Sequence, residues 1–346
     1  MAEYKVIGID LAKRNFHVVG LDGDHKVTLK KKVSREEFFS GFLPLFTKKQ
    51  TFAMEACGGC HVAAQKIQEQ GHAVILLKPK DVKPYAKSKQ KNDINDAIAI
   101  CKASFDPELM TVQPKTPKQQ EISFLHKTRQ NVIQQRIQRS NALISSLMEF
   151  GFIIECGKAR FAKECQDHVK AALKENFIRP IVFDQMILDC KEIAALLERE
   201  KSINQMIVQE NKDSKEARLL ETIPGIGPIN ASILSIKPMA LYKTPKDFAA
   251  SLGLVPKQST TGGTIRLGSI TKQGDRYART MLIQAARSLV MRTYKGNVPQ
   301  GALYQFVARL KENGKHYNVT CVAVANKLAR VAYACVTKGI VYDQAS

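Results

Sequence analysis

At 346 residues the chain has room for about two domains of roughly 150 residues each, and 44% hydrophobic with 25% charged residues is ordinary for a protein with a buried core. A total of 53 Lys and Arg against 32 Asp and Glu leaves a net charge of +21, which points to a polyanionic partner, most commonly nucleic acid. No apolar run approaches the roughly 18 residues of a membrane helix, and Glu3, Lys5 and Asp10 interrupt the start where a signal peptide is apolar, so the reading is a cytoplasmic protein without membrane contact.

Residues 1–110 alternate between strand and helix patterns. A β-rich run over 4–10 faces a hairpin partner over 15–21 across a turn at Lys13 and Arg14, and further strands are expected at 51–55 and 73–77. Between those two, 61–70 has helical composition and stops at Gly71, a favourable C-terminal cap. This is an α/β plan with a mixed sheet.

Residues 117–150 and 182–210 carry apolar side chains at steps of three and four: Ile122, Leu125, Ile133, Ile137, Ile144 and Leu147, then Met186, Cys190, Ile193, Leu197, Ile203 and Ile207. Each set forms one stripe of a long helix. The stripes suit either packing within their own domain or a coiled-coil arm for oligomerisation. From 216 onward the pattern is mostly helical, with connections at 222–228 and 255–275. Residues 251–346 hold 14 Lys and Arg against three acids, about half of the net charge.

The eight cysteines, Cys57, Cys60, Cys101, Cys156, Cys165, Cys190, Cys321 and Cys335, are too sparse for a disulfide framework. Cys57-Gly-Gly-Cys60-His61 has the spacing of half a zinc site, but no second closely spaced pair follows. A reduced, cytoplasmic protein is the expectation.

Four carboxylates stand out. Asp10 and Glu55 end apolar strands, where a charge is costly without a task. Asp93 and Asp96 lie three apart at a helix start and share a face. Carboxylates so gathered suit Mg²⁺, a hard ion that takes oxygen ligands and shares them with substrate phosphates, and a pair of such ions about 4 Å apart serves phosphodiester chemistry. Gly8-Ile-Asp10 before a hairpin also opens the actin-like ATPase fold, but the glycine-rich phosphate loops of those enzymes do not follow.

In the basic half, 222–231 has the form of a helix–hairpin–helix turn. Gly225 and Gly227 permit a tight backbone whose N–H groups hold phosphate without reading sequence. The next stretch places Ser259, Thr260 and Thr261 before Gly262 and Gly263, among Lys257, Arg266, Lys272, Arg276 and Arg279. A loop hydroxyl in that setting is a candidate nucleophile toward a phosphodiester, and the cations are candidate phosphate contacts.

Read together, Gly8-Ile-Asp-Leu-Ala-Lys13, Met54-Glu-Ala-Cys-Gly-Gly59, Lys91-Asn-Asp-Ile-Asn-Asp96, Ile223-Pro-Gly-Ile-Gly-Pro228 and the block from Leu252 to Asp275 resemble, in order and over nearly the whole chain, the DEDD insertion-sequence transposases, the "IS one-ten" family, most closely its "IS eleven-eleven" branch. The resemblance implies a RuvC-like, RNase H-type α/β domain over 1–115 with Asp10, Glu55, Asp93 and Asp96 as Mg²⁺ ligands. It further implies a helical coiled-coil segment over 116–215 and a mainly helical transposase domain over 216–346. Family members contribute a serine that joins DNA covalently, and they use a structured non-coding RNA to choose donor and target. They commonly carry Ser directly before the first Gly of the loop. Here Thr261 holds that place and Ser259 lies two residues earlier, so either hydroxyl is the candidate. The expected partners are double-stranded DNA, guide RNA and further copies of the chain, as dimer or tetramer, at the bacterial nucleoid. The alternatives are a RuvC-like junction nuclease that activates water with the metal, and a non-catalytic nucleic-acid-binding protein.

Overall fold

In the computed structural model, which describes residues 4–86, 92–153, 161–261, 264–296 and 299–343, the chain divides into two units, Met1–Gln120 and Glu121–Ser346. Lys91, Cys156, Gly262 and Gly263 from the motifs above lie outside the described residues.

The first unit contains the expected mixed sheet. Strands β1 (Val6–Leu11), β2 (Asn15–Leu21), β3 (Val27–Ser34), β4 (Thr51–Glu55) and β5 (Ala73–Leu77) are ordered β3-β2-β1-β4-β5. The pairings β1–β2 and β2–β3 are antiparallel, while β1–β4 and β4–β5 are parallel. Strand β3 is an addition to the expected set. Its sequence VTLKKKVS buries only Val33 fully, because it is an edge strand whose lysines face solvent. The short helix α1 (Arg35–Glu37) follows it. Helix α2 (Cys60–Glu69) ends before Gly71, whose φ of +82° is the left-handed turn expected of it. Then come α3 (Pro79–Val82) and α4 (Asp93–Ala103).

Strand alternation divides the sheet into two faces. Ile7, Ile9, Phe16, Val18, Phe52 and Met54 pack with α2 residues Ala63, Ala64 and Ile67. Val6, Val19, Leu21, Ala53 and Leu77 pack with Ala97, Ile100 and Cys101 of α4. Gly8 sits on the α4 face, and a Cβ there would fall 2.5 Å from both the Ala97 carbonyl oxygen and Cys101 Sγ. The bare glycine lets α4 press onto the sheet. Gly8→Ala is therefore expected to lower stability by about 1–3 kcal/mol through overpacking; an unchanged thermal midpoint would contradict this close approach.

The second unit is mostly helical. It comprises α5 (Pro117–Glu149, begun in the first unit), α6 (Phe161–Lys174), α7 (Pro180–Asn211), α8 (Lys215–Glu221), α9 (Pro228–Ser235), α10 (Pro245–Ser251), the antiparallel strands β6 (Pro256–Thr261) and β7 (Thr264–Ile270), α11 (Arg276–Tyr294), α12 (Ala302–Glu312) and α13 (Tyr317–Lys338). One expectation needs correction, the course of the α5 stripe, and one helix is new. Helix α6 is an addition to the expected set: Phe161, Cys165, Val169 and Ala172 join Leu143 and Leu147 of α5 and Met186, Cys190 and Ile193 of α7 in one apolar cluster, so this part of the two stripes is covered within a single chain. The helical segment at 116–215 clusters with the C-terminal part in one unit. Along α5, Val132 is buried in place of Ile133, and Ile137 is 45% exposed. The inner face there is polar: Arg136 Nε lies 3.4 Å from Glu200 Oε2, Arg129 donates to Asn204 Oδ1 at 2.6 Å, and His126 and Ser140 are buried.

The expectation that no apolar run reaches membrane length is also corrected. Tyr317–Lys338 is long and apolar enough by composition. In the structure α13 buries Thr320, Cys321, Val324, Ala325, Leu328, Ala329, Ala332 and Cys335 in the core of the second unit.

Candidate active site

Alternation along two adjacent strands brings the first two acidic residues to one place. Asp10 continues the Val6 and Gly8 face of β1, and Glu55 the Ala53 face of β4, so both lie on the side covered by α4. Helix α4 starts there. The Asn92 side chain caps it by accepting from the Ile94 N–H at 3.0 Å, and Asp93 and Asp96 occupy its first turn, where the helix dipole favours negative charge.

The four carboxylates form one electrostatic cluster. Burial, then the charges of Asp93 and Asp96, push the Asp10 carboxyl above its ordinary value, partly offset by His17. Burial, then Asp10 and Asp96, push Glu55 up likewise. Side chains held together against mutual repulsion fit a cation. Donor atoms of Asp10 and Asp93, together with His17, lie within 4.8 Å of one another; Glu55 and Asp96 surround this group without joining it at that range.

His17 was not singled out from the sequence, although the signal was present. A hairpin turning at Lys13 and Arg14 pairs residues symmetrically about that turn, and the observed register places Asp10 opposite His17. His17 is 8% exposed, and its Nδ1 lies 3.4 Å from Asp93 Oδ2 without a hydrogen-bond partner. A buried imidazole nitrogen aimed among carboxylates is a ready donor to a divalent ion or an orienting group for Asp93.

The cysteine motif next to the site does not share this character. Burial and the nearby Glu55 charge raise the Cys57 thiol, the reverse of what a reactive thiolate needs. Among the described residues, Asp10, His17 and Asp93 form the one group of three or more donors with metal-site spacing. Cys57 and Cys60 form no disulfide, and His61 Nδ1 accepts from the Lys115 N–H at 3.3 Å.

In the second unit the stretch expected to be a loop is largely a β-hairpin. Ser259 lies on β6, exposed, directly opposite Arg266 of β7. Thr260 takes the other face, where its hydroxyl accepts from Gln258 Nε2 at 3.2 Å. Thr261 ends β6, opposite Thr264. Lys257, Arg266, Lys272 and Arg276 are exposed, as phosphate contacts have to be. Arg279 is not. It is 7% exposed, and its Nη1 donates to the carbonyls of Leu252 at 2.9 Å and Gln273 at 2.8 Å. These two carbonyls flank a tight backbone crossing, where a Cβ on Gly274 would fall 1.8 Å from the Ser251 carbonyl oxygen. Arg279 thus fastens that crossing instead of facing nucleic acid.

The stretch 215–235 forms α8, a turn and α9. Gly225 has φ +84°, and a Cβ there would fall 3.0 Å from Leu289 Cγ, so this glycine seats the turn on α11. Gly227 is exposed and precedes α9 directly.

Residues 217–300 match the family described as Transposase IS116/IS110/IS902, and residues 7–152 match the DEDD transposase domain of the IS110 group. The transposase for insertion sequence element IS1328 of Yersinia enterocolitica is 34% identical, with 99% of this chain and 100% of that protein covered. The transposase for IS1111A of Coxiella burnetii is 30% identical, covering 99% and 92%. A putative transposase of Sinorhizobium fredii, y4pF/y4sB, is 34% identical over 98% and 86%.

Proposed function

Because the chain belongs to the IS116/IS110/IS902 family of transposases and is thereby a DNA transposase/recombinase, we propose that it cuts and joins the DNA of its insertion sequence by Mg²⁺-dependent phosphoryl transfer, with a hydroxyl of its own as nucleophile and a non-coding RNA as guide. The observation that carries the reading is the acidic cluster on the α4 face of a RuvC-like sheet, with Asp10, Asp93 and His17 within 4.8 Å and Glu55 and Asp96 close enough to be felt. Asp10, Glu55, Asp93 and Asp96 would hold Mg²⁺, which supplies Lewis acidity toward a phosphoryl oxygen when bound. His17 would steady Asp93, whose side chain is otherwise 62% exposed.

Ser259 or Thr261 attacks phosphorus. One P–O bond forms as the bond to the leaving sugar oxygen breaks, and the hydroxyl proton ends on that oxygen. Ser259 gains support from its register opposite Arg266, which puts the two side chains on one face of the hairpin, where a guanidinium would hold phosphate oxygens. Lys257, Lys272, Arg276 and the Gly225–Gly227 turn would engage the nucleic-acid backbone. Exchange between two duplexes requires several DNA ends to be held together, which fits a dimer or tetramer working at the nucleoid in the bacterial cytoplasm.

The test is reconstitution. Purified protein, element-junction DNA, target DNA and the transcript of the element's non-coding flank should yield joined product. Withholding the transcript should remove it; full product without RNA would refute the guided mechanism.

A further inference from the structure

The last three helices carry a charge imbalance that the residues discussed so far do not use. Beyond Arg276 and Arg279, residues 280–338 contain nine Lys and Arg and a single acid, Glu312. Three of the cations converge at the place where α12 meets α13. Phe306 and Arg309 lie one turn apart on α12, and Lys327 and Arg330 one turn apart on α13. Lys327 Nζ sits 4.6 Å from the centroid of the Phe306 ring, and Arg309 Cζ lies 5.6 Å from the same ring. No carboxylate pairs with Arg309, Lys327 or Arg330 among the described residues.

Cations gathered around one half-buried ring repel one another. Burial, then the charges of Arg309 and Arg330, lower the Lys327 ammonium pKa. The ring quadrupole offsets part of this cost, but a surface under no other demand would intersperse acids. Arg309 and Arg330 are themselves exposed. The patch also lies beyond the family match that ends at residue 300.

We infer that the α12–α13 face carrying Arg309, Lys327 and Arg330 is a docking surface for the phosphate backbone of duplex DNA. The choice of DNA rests on the transposase reading above; the choice of surface rests on the convergence alone. Backbone contacts of this kind set affinity and register and carry no sequence information.

The test compares two full-length triple variants of equal charge. One is Arg309→Gln, Lys327→Gln and Arg330→Gln. The other is Lys163→Gln, Lys170→Gln and Lys174→Gln, on the exposed side of α6. Affinity for a random-sequence DNA duplex is measured across a salt series, with a duplex RNA of equal length alongside. The patch variant should bind DNA at least about tenfold more weakly at low salt, with the slope of log K against log salt reduced by about 3, near one unit per lost phosphate contact. The α6 variant should change little. Equal effects of the two triples would reduce the patch to a net-charge effect and overturn the proposal, and so would a loss confined to RNA. Should Lys327→Gln disturb folding, the Arg309→Gln and Arg330→Gln double variant reads the same way with a slope change of about 2. Normal strand exchange together with an unchanged slope would remove this surface and leave the transposase reading standing. Failure of the unaltered protein to bind DNA even at low salt would end both.

Discussion

Asp10→Asn and Asp93→Ala should each reduce strand exchange by about 10³-fold or more while leaving duplex-DNA affinity within about threefold of the unaltered protein. A metal-site ligand contributes several kcal/mol to the transition state, and about 4 kcal/mol is a factor near 10³. Neither carboxylate attracts DNA, so binding has no reason to fall. Stability should move the other way. Asp10 and Glu55 have raised pKa values, through burial first and like charge second. A raised carboxyl helps folding fully below its ordinary value, and that help is lost as pH rises through the raised one. At neutral pH the metal-free protein therefore carries uncompensated repulsion. Asp10→Asn should melt a few °C higher than the unaltered protein at neutral pH without metal, and the gap should close below the ordinary carboxyl values of 3.8 and 4.5. Full recombination by either variant would refute the assignment.

The second large effect concerns the nucleophile. Reaction stopped by denaturant should leave a protein–DNA adduct, and one of Ser259→Ala and Thr261→Ala should abolish it completely while the other retains it. Ser259 is the stronger candidate on the structure, because Arg266 stands opposite it and a primary hydroxyl is less hindered than the β-branched threonine, whose χ1 is also stiffer. Thr261 directly precedes the glycine pair, the place the family resemblance implies for the nucleophile. Mass spectrometry of the digested adduct places the nucleotide on one residue. Recombination without any trapped adduct would transfer the chemistry to water activated at the acidic site.

Local pattern made much of the first unit legible. Strands β4 and β5 have the limits that alternation and the flanking turns predict, and the acidic residues fall on one face because strand period and helix period both point them there. The register of the first hairpin was legible too. Pairing about Lys13 and Arg14 places His17 beside Asp10, but a lone histidine among valines reads as core until the partner strand is considered. Strand β3 was hidden by Lys30, Lys31 and Lys32, which break alternation on an edge.

Long-range partnership was not legible. Arg279 sits in a basic run and reads as solvent-facing. Its two carbonyl partners come from residues 252 and 273, which only the folded chain brings together. On α5 the inner face passes through His126, Arg129 and Arg136, polar residues paired by α7, α9 and α11, so an apolar stripe misplaces the buried edge. Helix α6 is different: Phe161, Cys165, Val169 and Ala172 fall on one face at helical spacing, so its pattern was legible in the sequence.

The central claim is that the cluster around Asp10 is a divalent-ion site, and Mn²⁺ binding followed by electron paramagnetic resonance tests it most directly. The unaltered protein should bind Mn²⁺ stoichiometrically, Mg²⁺ should compete, and Asp10→Asn should abolish the signal of the bound ion. Spin-echo modulation from a nearby nitrogen, lost in His17→Gln, would place the imidazole at the ion. Absence of stoichiometric Mn²⁺ binding, or binding unaffected by Asp10→Asn, would contradict the account.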